Sequence, residues 1–495
     1  MDGTLVVETV TGPRMADLRR ARDCALGDVV ELRLDEVADL DVAGALEGRK
    51  RPVIVTCRPA WEGGRFQRSE SERLRVLADA IRLGAEYVDV EWKADRRQLP
   101  RGERTRIVLS HHDFAGLPAD LADRIRAMRA EQPAVLKIAV TATRLSDCLL
   151  LRDSVQGSDS HVAIAMGPAG QLTRTCPWLF GSCWTYGGTV APGQISARDL
   201  IDRYHVRETT SKTTIYALGG SPLGHSASPA MHNSAIPALG LDAVYVPLET
   251  ADADEFCGVA AAIGVSGASV TAPLKEALLG RASADELASR IGALNTLRWT
   301  GREWAGRNFD VAGFLAPLDR RSFTLRGARA VVLGAGGAAR AAVWALKAHG
   351  ARVEVVARRP EQAAKLARDF RVDAADWPPQ GPWDVLINAT PVGTWPDVDA
   401  SPLDGAPLGG RLVYDLVYNP LETALMKQAR RSGLDTIGGL EMLVAQACRQ
   451  IEWWTSQPPP TAAIERGALE FLGSDRGQTG VKPGSDRGQT PLRNV

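Results

Sequence analysis

The sequence predicts an α/β protein made of two successive units: a (β/α)8 barrel, then a two-lobed α/β unit. Three observations predict this. Up to about residue 205, short β-rich runs alternate with longer amphipathic runs, the pattern of parallel sheet assembled from βαβ units. From Thr214 the alternation restarts, after a polar joint at Glu208 to Thr214. In the second unit a glycine-rich turn, Gly334 to Ala338, lies between a strand pattern and a helix pattern.

In the first unit the β-runs are Leu5–Val10, Val29–Leu34, Val53–Cys57, Tyr87–Glu91, Arg106–Ser110, Ala134–Val140, His161–Ala165 and Leu179–Trp184. Helix-like runs such as Glu70–Gly84 and Pro118–Ala130 lie between them, and Ser196–Arg207 reads as the last helix. A barrel of this kind places its chemistry at the C-terminal ends of the strands. Polar residues fall there: Glu31, Arg33 and Asp35; Arg58, Glu62, Gly63 and Gly64; Asp89 and Glu91; His111, His112 and Asp113; and Arg174. Lys137 stands inside an apolar strand, between Leu136 and Ile138. An amine facing a barrel interior is expected to lose its proton more readily, and a neutral amine attacks ketones. The plainer alternative is a lysine that snorkels or pairs with Glu91.

These residues resemble type I 3-dehydroquinate dehydratase over essentially residues 1–205. The resemblance is carried by Glu31-Leu-Arg33-Leu-Asp35, Arg58 to Gly64, Ser110 to Phe114, Lys137-Ile-Ala and Ala191-Pro-Gly-Gln194. It implies that Lys137 forms a Schiff base, that His112 transfers the proton and that Glu62 orients His112. It also implies that Glu31, Arg33 and Arg58 bind substrate hydroxyls, Arg174 the carboxylate, and Gln194 a lid contact. Val190 stands where the bacterial family often has Ser, which removes one lid hydroxyl. His111 is expected to be a bystander, because adjacent strand residues point to opposite faces.

The second unit opens with a strand at Ile215–Leu218, a loop carrying Ser226 and Ser228, and a helix from Pro229. Thr271, Pro273 and Lys275 follow a strand, and then come Asn295 and the Asn308-Phe309-Asp310 segment. Ala328–Leu333 reads as a strand, Gly334-Ala335-Gly336-Gly337-Ala338 as a turn opening a helix, and Val353–Val356 as the next strand. Glycines there let backbone approach a pyrophosphate at a helix N-terminus, the dinucleotide-binding arrangement of a Rossmann domain. After that strand an acid favours NAD and arginine favours NADP. The chain has Ala357-Arg358-Arg359, while Glu354 is too early to reach a ribose, so NADP is expected. We also assign Thr390 and Gly439 to the cofactor and Tyr418 to the substrate.

This half resembles shikimate dehydrogenase over roughly residues 212–472. The resemblance implies that Ser226 and Ser228 bind the substrate carboxylate. It places Thr271, Asn295 and Gln446 on the substrate and makes Lys275 and Asp310 the catalytic pair. Phe309 replaces the usual Thr of Asn-Thr-Asp, and Ser269 replaces an Asn common in bacterial members. The domain reading is 1–207 for the dehydratase barrel, 208–320 with 438–472 for the shikimate-binding lobe, and 321–437 for the NADP-binding domain. The tail, 473–495, carries Ser474-Asp-Arg-Gly-Gln-Thr479 twice, the second copy at Ser485–Thr490, and its polarity predicts disorder.

Formal net charge is zero, which argues against nucleic-acid or anionic-membrane partners. The expected partners are small molecules: 3-dehydroquinate and 3-dehydroshikimate or shikimate. The seven cysteines include no Cys-x-x-Cys pair or zinc-like spacing, so a cytoplasmic protein with reduced thiols and no metal is expected. A strand pattern begins at Leu5, so no leader peptide is expected. Two other functions compete: a quinate/shikimate dehydrogenase using NAD, and a non-catalytic ligand-binding regulator. Arg358 and the Ser228 hydroxyl argue against the first. The second would be marked by loss of Lys137, His112, Lys275 or Asp310, and all four are present.

Overall fold

In the computed structural model the described residues are 4–100, 102, 104–157, 159–190 and 194–473. Ala191, Pro192, Gly193 and both copies of the tail repeat lie outside them. The chain divides into two compact units, Met1–Ser221 with Leu241–Ser266, and Pro222–Gly240 with Gly267–Val495.

The first unit holds eight parallel strands: β1 (Leu5–Val10), β2 (Val29–Arg33), β3 (Val53–Thr56), β4 (Tyr87–Glu91), β5 (Arg106–Asp113), β6 (Val135–Thr141), β7 (His161–Met166) and β8 (Trp184–Gly188). Their order is β7-β6-β5-β4-β3-β2-β1-β8, and the ends of the sheet meet where Cys183 donates its N–H to the His161 carbonyl at 2.9 Å. The strands are apolar because both faces are covered. Val7, Ile54, Val108 and Val162 fill the interior with Tyr87 and Trp184, while Leu32, Val55, Leu77 and Val90 pack in a cluster with the surrounding helices.

Two expectations about this unit need correction. The eighth strand is not Leu179–Trp184. Pro177–Phe180 forms a 3-10 turn, Gly181 reverses the chain at φ +64°, and the strand begins at Trp184. Proline lacks a ladder donor, and the two glycines of β8 hid it from a propensity reading. Gly187 is required there, since a Cβ would lie 2.7 Å from the Ala197 Cα. The last helix is also shorter than Ser196–Arg207. Ala197 and Arg198 are α-helical and Asp199–Arg203 form a π-helical turn, Ser196 Oγ accepts the Asp199 N–H at 3.0 Å, and the chain leaves through His205 at φ +49°.

Beyond the barrel, the first unit contains β9 (Thr214–Gly220) and β10 (Ala243–Glu249), paired in parallel. The strand β11 (Val265–Val270) contributes Gly267–Ser269 to the second unit. There they run antiparallel to β13 (Thr296–Trp299), with β12 (Ser283–Ala284) and β14 (Trp304–Arg307) alongside. The helices Ser228–Ala238, Gly439–Thr455 and Thr461–Gly473 bury a common apolar cluster around Met231, Ala447, Ile464 and Phe471.

A second sheet in this unit is wholly parallel. It comprises β15 (Arg329–Leu333), β16 (Arg352–Val356), β17 (Asp373–Ala375), β18 (Val385–Asn388), β19 (Leu412–Asp415) and β20 (Asp435–Ile437), in the order β17-β16-β15-β18-β19-β20. The order reverses beside β15, and in such doubly wound sheets the crevice at the reversal receives the ligand. Among the described residues no helix is long and apolar enough to cross a membrane.

Candidate active sites

In the barrel, β6 carries Lys137 into the interior, where it is buried. Its partner is not Glu91. Nζ donates to Glu31 Oε1 and to Asp89 Oδ2, both at 3.0 Å, and stands 4.1 Å from the centroid of the Tyr186 ring. Thr9 and Thr56 hydroxyls also donate to Glu31, at 2.8 and 3.0 Å. Burial works against the charge on Glu31, but Lys137 holds its carboxyl below the ordinary range. Asp89 is likewise buried, and Arg58 and Lys137 hold its carboxyl well below the usual range.

Arg58 links the strand ends. Its guanidinium meets Asp89 at 3.0 Å and Glu91 at 2.6 Å and donates to Ser110 Oγ at 2.9 Å. Glu91 is also held by Arg73 at 2.6 Å, so the carboxylate that sequence offered to Lys137 belongs to two arginines. Arg33 is forked onto Asp35 at 2.8 and 2.9 Å. Asp35 also accepts the backbone N–H groups of Arg58 and Arg65, at 3.1 and 3.0 Å, which fixes the start and end of the Arg58–Arg65 loop.

That loop delivers Glu62. Gly63 adopts φ +76°, and a Cβ on it would strike the Phe114 ring at 2.5 Å; a Cβ on Gly64 would lie 2.0 Å from the Arg58 carbonyl oxygen. Glu62 Oε2 is 2.9 Å from His112 Nδ1. Burial disfavours the Glu62 charge, but the His111 and His112 rings beside it bring its carboxyl down to about 2. For His112, burial and the nearby Arg58 lower the imidazole to about 4, with Glu62 opposing them. His112 is thus neutral near pH 7, with its proton on Nδ1 toward Glu62 and Nε2 free to accept.

His111 is not turned away, as strand alternation predicted. Its Nδ1 lies 3.7 Å from Glu62 Oε1, because the two oxygens of Glu62 diverge toward the two rings. β5 runs three residues past its expected end at Ser110, so both histidines are strand residues.

Arg174 is buried and donates to the Tyr186 carbonyl at 2.8 Å; burial lowers it to about 10, which leaves it charged at neutral pH. Gln194 Oε1 accepts the Val190 backbone N–H at 3.1 Å, a contact that does not depend on the side chain at 190. The sequence reading placed Asp35 and Asp89 at the strand ends but gave them no role, and it did not single out Tyr186. The signal for Asp89 was the charged alternation Asp89-Val90-Glu91 inside an apolar strand.

In the second unit Lys275 lies on the single turn Leu274–Ala277, and its Nζ donates to Asp310 Oδ2 at 2.5 Å. Asp310 starts the helix Asp310–Arg320. Its other oxygen accepts from Asn295 Nδ2 at 2.7 Å, and its N–H donates to Asn308 Oδ1 at 3.0 Å. Asn295 Nδ2 also reaches Gln446 Oε1 at 3.2 Å, so Lys275, Asp310, Asn295 and Gln446 form one connected group. Phe309 leaves this group intact: its N–H donates to Asn295 Oδ1 at 2.8 Å, and its ring meets Trp453 edge-on. Ser269 donates to Gln450 Oε1 at 2.9 Å. Ser226 and Ser228 adjoin each other, with the Ser228 N–H on Ser226 Oγ at 3.3 Å, and burial raises the Tyr418 hydroxyl. Thr271 is half-buried just before the Lys275 turn.

The dinucleotide loop fits NADP on three counts. Gly334 turns at φ +108°, and a Cβ there would lie 2.9 Å from the Ala389 carbonyl oxygen. The helix Gly337–Ala348 has no side-chain cap at its N-terminus, so first-turn N–H groups remain for phosphate oxygens, and a Cβ on Gly336 would enter open space. Arg358 and Arg359 are exposed after β16. Thr390 is held by Asn388, whose Oδ1 accepts from the Thr390 N–H and hydroxyl at 3.1 and 2.6 Å. Asn388 is held in turn by Asp415 at 2.9 Å, a supporting residue that sequence did not reveal. Gly439 is packed so that a Cβ would lie 2.3 Å from the Leu416 carbonyl oxygen. Among the described residues no group of three or more His, Cys, Asp or Glu side chains could hold a metal.

The folds define a two-enzyme class of chain, with a lysine-centred barrel joined to a dinucleotide-binding unit. Residues 6–211 match the type I 3-dehydroquinase model, 218–297 the shikimate dehydrogenase substrate binding domain, and 439–466 the shikimate 5'-dehydrogenase C-terminal domain. The chain is 31% identical over 472 residues to the chloroplastic bifunctional 3-dehydroquinate dehydratase/shikimate dehydrogenase of Arabidopsis thaliana, covering 88% of this chain and 78% of the relative. It is 39% identical to the NADP(+) shikimate dehydrogenase of Moorella thermoacetica, over 54% of this chain and 97% of that protein. A crystal structure of a shikimate dehydrogenase in complex with NADP+ superposes with TM-score 0.50 at 31% identity, covering 54% of this chain and 98% of that one. The chain belongs to the bifunctional 3-dehydroquinate dehydratase/shikimate dehydrogenase family.

Proposed function

We propose that Lys137, His112 and Glu62 carry out the first activity of this chain and Lys275 and Asp310 the second. The chain is a 3-dehydroquinate dehydratase and an NADP-dependent shikimate dehydrogenase. The observation that carries the assignment of the first site is the buried Lys137 amine between two carboxylates, in the same barrel as a neutral histidine on Glu62.

Lys137 gives up a proton, and the free amine condenses with the C3 ketone, releasing water; Glu31 and Asp89 hold the amine in place. The iminium withdraws electrons, so the C2–H bond breaks with its proton passing to His112 Nε2. The C1–O bond then breaks, and His112 returns the proton to the leaving hydroxyl. Glu62 carries the compensating charge while His112 is an imidazolium. Water hydrolyses the imine and frees 3-dehydroshikimate and Lys137. Arg174 pairs with the substrate carboxylate, and Glu31, Arg33, Arg58 and Gln194 order the ring and the lid.

In the second site Ser226, Ser228 and Tyr418 receive the carboxylate, while Thr271, Asn295 and Gln446 receive ring hydroxyls. Gly334, Ala335, Gly336, Gly337, Ala338, Thr390 and Gly439 would hold the dinucleotide, and Arg358 and Arg359 would take its 2′-phosphate. When bound, the reduced nicotinamide supplies a hydride to the C3 carbonyl carbon. Lys275 donates a proton to the carbonyl oxygen, and Asp310 fixes the ammonium there. The domain reading 1–207, 208–320 with 438–472, and 321–437 belongs to this proposal, as does residence in the cytoplasm, which the seven free cysteines favour. Dehydroquinate and NADPH supplied together to one preparation should yield shikimate; a preparation that consumes no NADPH overturns the reading.

Two results are expected from these assignments. Because His112 is lowered to about 4, its base form persists as pH falls to that value. The acid limb of dehydratase kcat/KM should therefore lie near 4, well below the ordinary imidazole range, in an initial-rate profile. A limb near 6.5 would remove His112 in this environment as the base. Replacing Arg358 and Arg359 together with alanine should raise the KM for NADPH by about tenfold or more while leaving that for NADH little changed. Equal effects on both cofactors would place the 2′-phosphate elsewhere.

A further inference from the structure

We propose that His111 is a positioning residue for the dehydratase: it steadies the free oxygen of Glu62, and so sets how strongly Glu62 supports the proton on His112. The inference rests on reading His112 as the proton-transfer residue and Glu62 as its partner.

Glu62 Oε1 and His111 Nδ1 are both buried, and neither has a hydrogen-bond partner among the described residues. They lie 3.7 Å apart, just beyond a hydrogen bond, while Glu62 Oε2 is already committed to His112. The other side of the His111 ring fixes its tautomer. Arg124 NH1 is 3.1 Å from His111 Nε2, and a guanidinium can only donate, so Nε2 accepts and Nδ1 carries the hydrogen that points toward Glu62. Arg124 is itself held by Asp113 at 3.4 Å and Asp120 at 2.9 Å, and Trp92 meets the His111 ring edge-on. An acceptor with no donor and a donor with no acceptor, both buried and adjacent, form a contact that a small rotation of Glu62 closes. Catalytic hydrogen bonds commonly tighten in this way once substrate binds.

The consequence is electrostatic. An N–H on Oε1 draws charge away from the carboxylate, so Glu62 supports a proton on His112 less strongly and His112 is a readier donor to the leaving hydroxyl. The other charges on this pair are Arg58, 3.8 Å from Glu62, Lys137 and Asp89, which act on His112, and Arg124, Asp113 and Asp120 around His111. All of these remain when only His111 is changed.

The test uses the full chain with His111→Asn, His111→Gln and His111→Leu, reading dehydratase kcat and KM across pH. Far-UV circular dichroism and the thermal unfolding of each variant serve as the measure of folded enzyme. Asparagine puts an amide N–H near the Nδ1 position, and glutamine puts one near Nε2. His111→Leu and His111→Gln are expected to lose about tenfold in kcat with little change in KM, the usual scale for a supporting hydrogen bond. Both should also move the acid limb of kcat/KM to higher pH. His111→Asn should retain most of the rate and the original limb. Where leucine prevents folding, the asparagine–glutamine comparison decides alone. Equal behaviour of those two, or an unmoved limb in both glutamine and leucine variants, overturns the proposal. Full dehydration by His112→Asn would overturn it differently, by removing the base on which it rests.

Discussion

Replacing Lys137 with alanine is expected to abolish dehydration of 3-dehydroquinate while leaving shikimate oxidation unchanged. The loss should be about four orders of magnitude or more, the scale on which removal of a covalent nucleophile acts. None of the groups that touch the amine can take over. The neighbours of the amine are carboxylates Glu31 and Asp89 and the phenol of Tyr186, none of which condenses with a ketone. Borohydride added during turnover should fix one substrate-derived adduct on Lys137 in the native chain and none in the variant. Removing the ammonium also leaves two buried carboxylates facing one another, so Lys137→Arg should be run beside it, with circular dichroism reporting on folding. Dehydration persisting in all of these variants would disprove the Schiff-base assignment.

Replacing Lys275 with methionine should have the converse effect. NADPH-dependent reduction of 3-dehydroshikimate should fall by about 10²–10⁴-fold in kcat, the range of general acid catalysis, with dehydration unaffected. The KM for shikimate should change much less, because Ser226, Ser228, Asn295 and Gln446 remain. Asp310→Asn offers a sharper comparison. Asp310 Oδ2 accepts from Lys275 at 2.5 Å and Oδ1 accepts from Asn295 at 2.7 Å. An amide can satisfy only one of these donors as an acceptor and removes the charge that holds the ammonium. Asp310→Asn should therefore lose both rate and substrate affinity, whereas Lys275→Met loses mainly rate. A Lys275 variant that kept its kcat would exclude the lysine as the proton donor.

The three family departures leave hydrogen bonds in place. Val190 and Phe309 contribute backbone N–H groups to Gln194 and Asn295, and backbone donors survive a change of side chain. Ser269 keeps a hydroxyl that reaches Gln450 across a buried contact.

Much of this was legible in the amino-acid order. Alternating periodicity gave seven of the eight barrel strands close to their observed positions, since a strand buried on both faces must be an apolar run. Lys137 stood out because a cation inside such a run is costly. The turn at Gly334 stood out because only a glycine-rich strand-to-helix connection passes that close to a neighbouring strand. The failures have local causes. The eighth strand contains two glycines and follows a proline turn, so its propensity is weak although its packing is tight.

What the order of residues could not contain is which charges meet. Lys137 and Glu31 are 106 positions apart, and Asn295 and Gln446 are 151 apart. Barrel closure and helix packing decide these contacts, and no spacing rule reaches across them. Hence sequence alone determined the two folds, the nucleophile, the cofactor loop and the catalytic pair as candidates. Tertiary structure gave Lys137 to Glu31 and Asp89, gave Glu91 to two arginines, and brought His111 and His112 to the two oxygens of one carboxylate. The physical reason is that a side chain's chemistry is fixed by its own atoms, whereas its protonation, orientation and partner are fixed by groups that only the folded chain brings within hydrogen-bond distance.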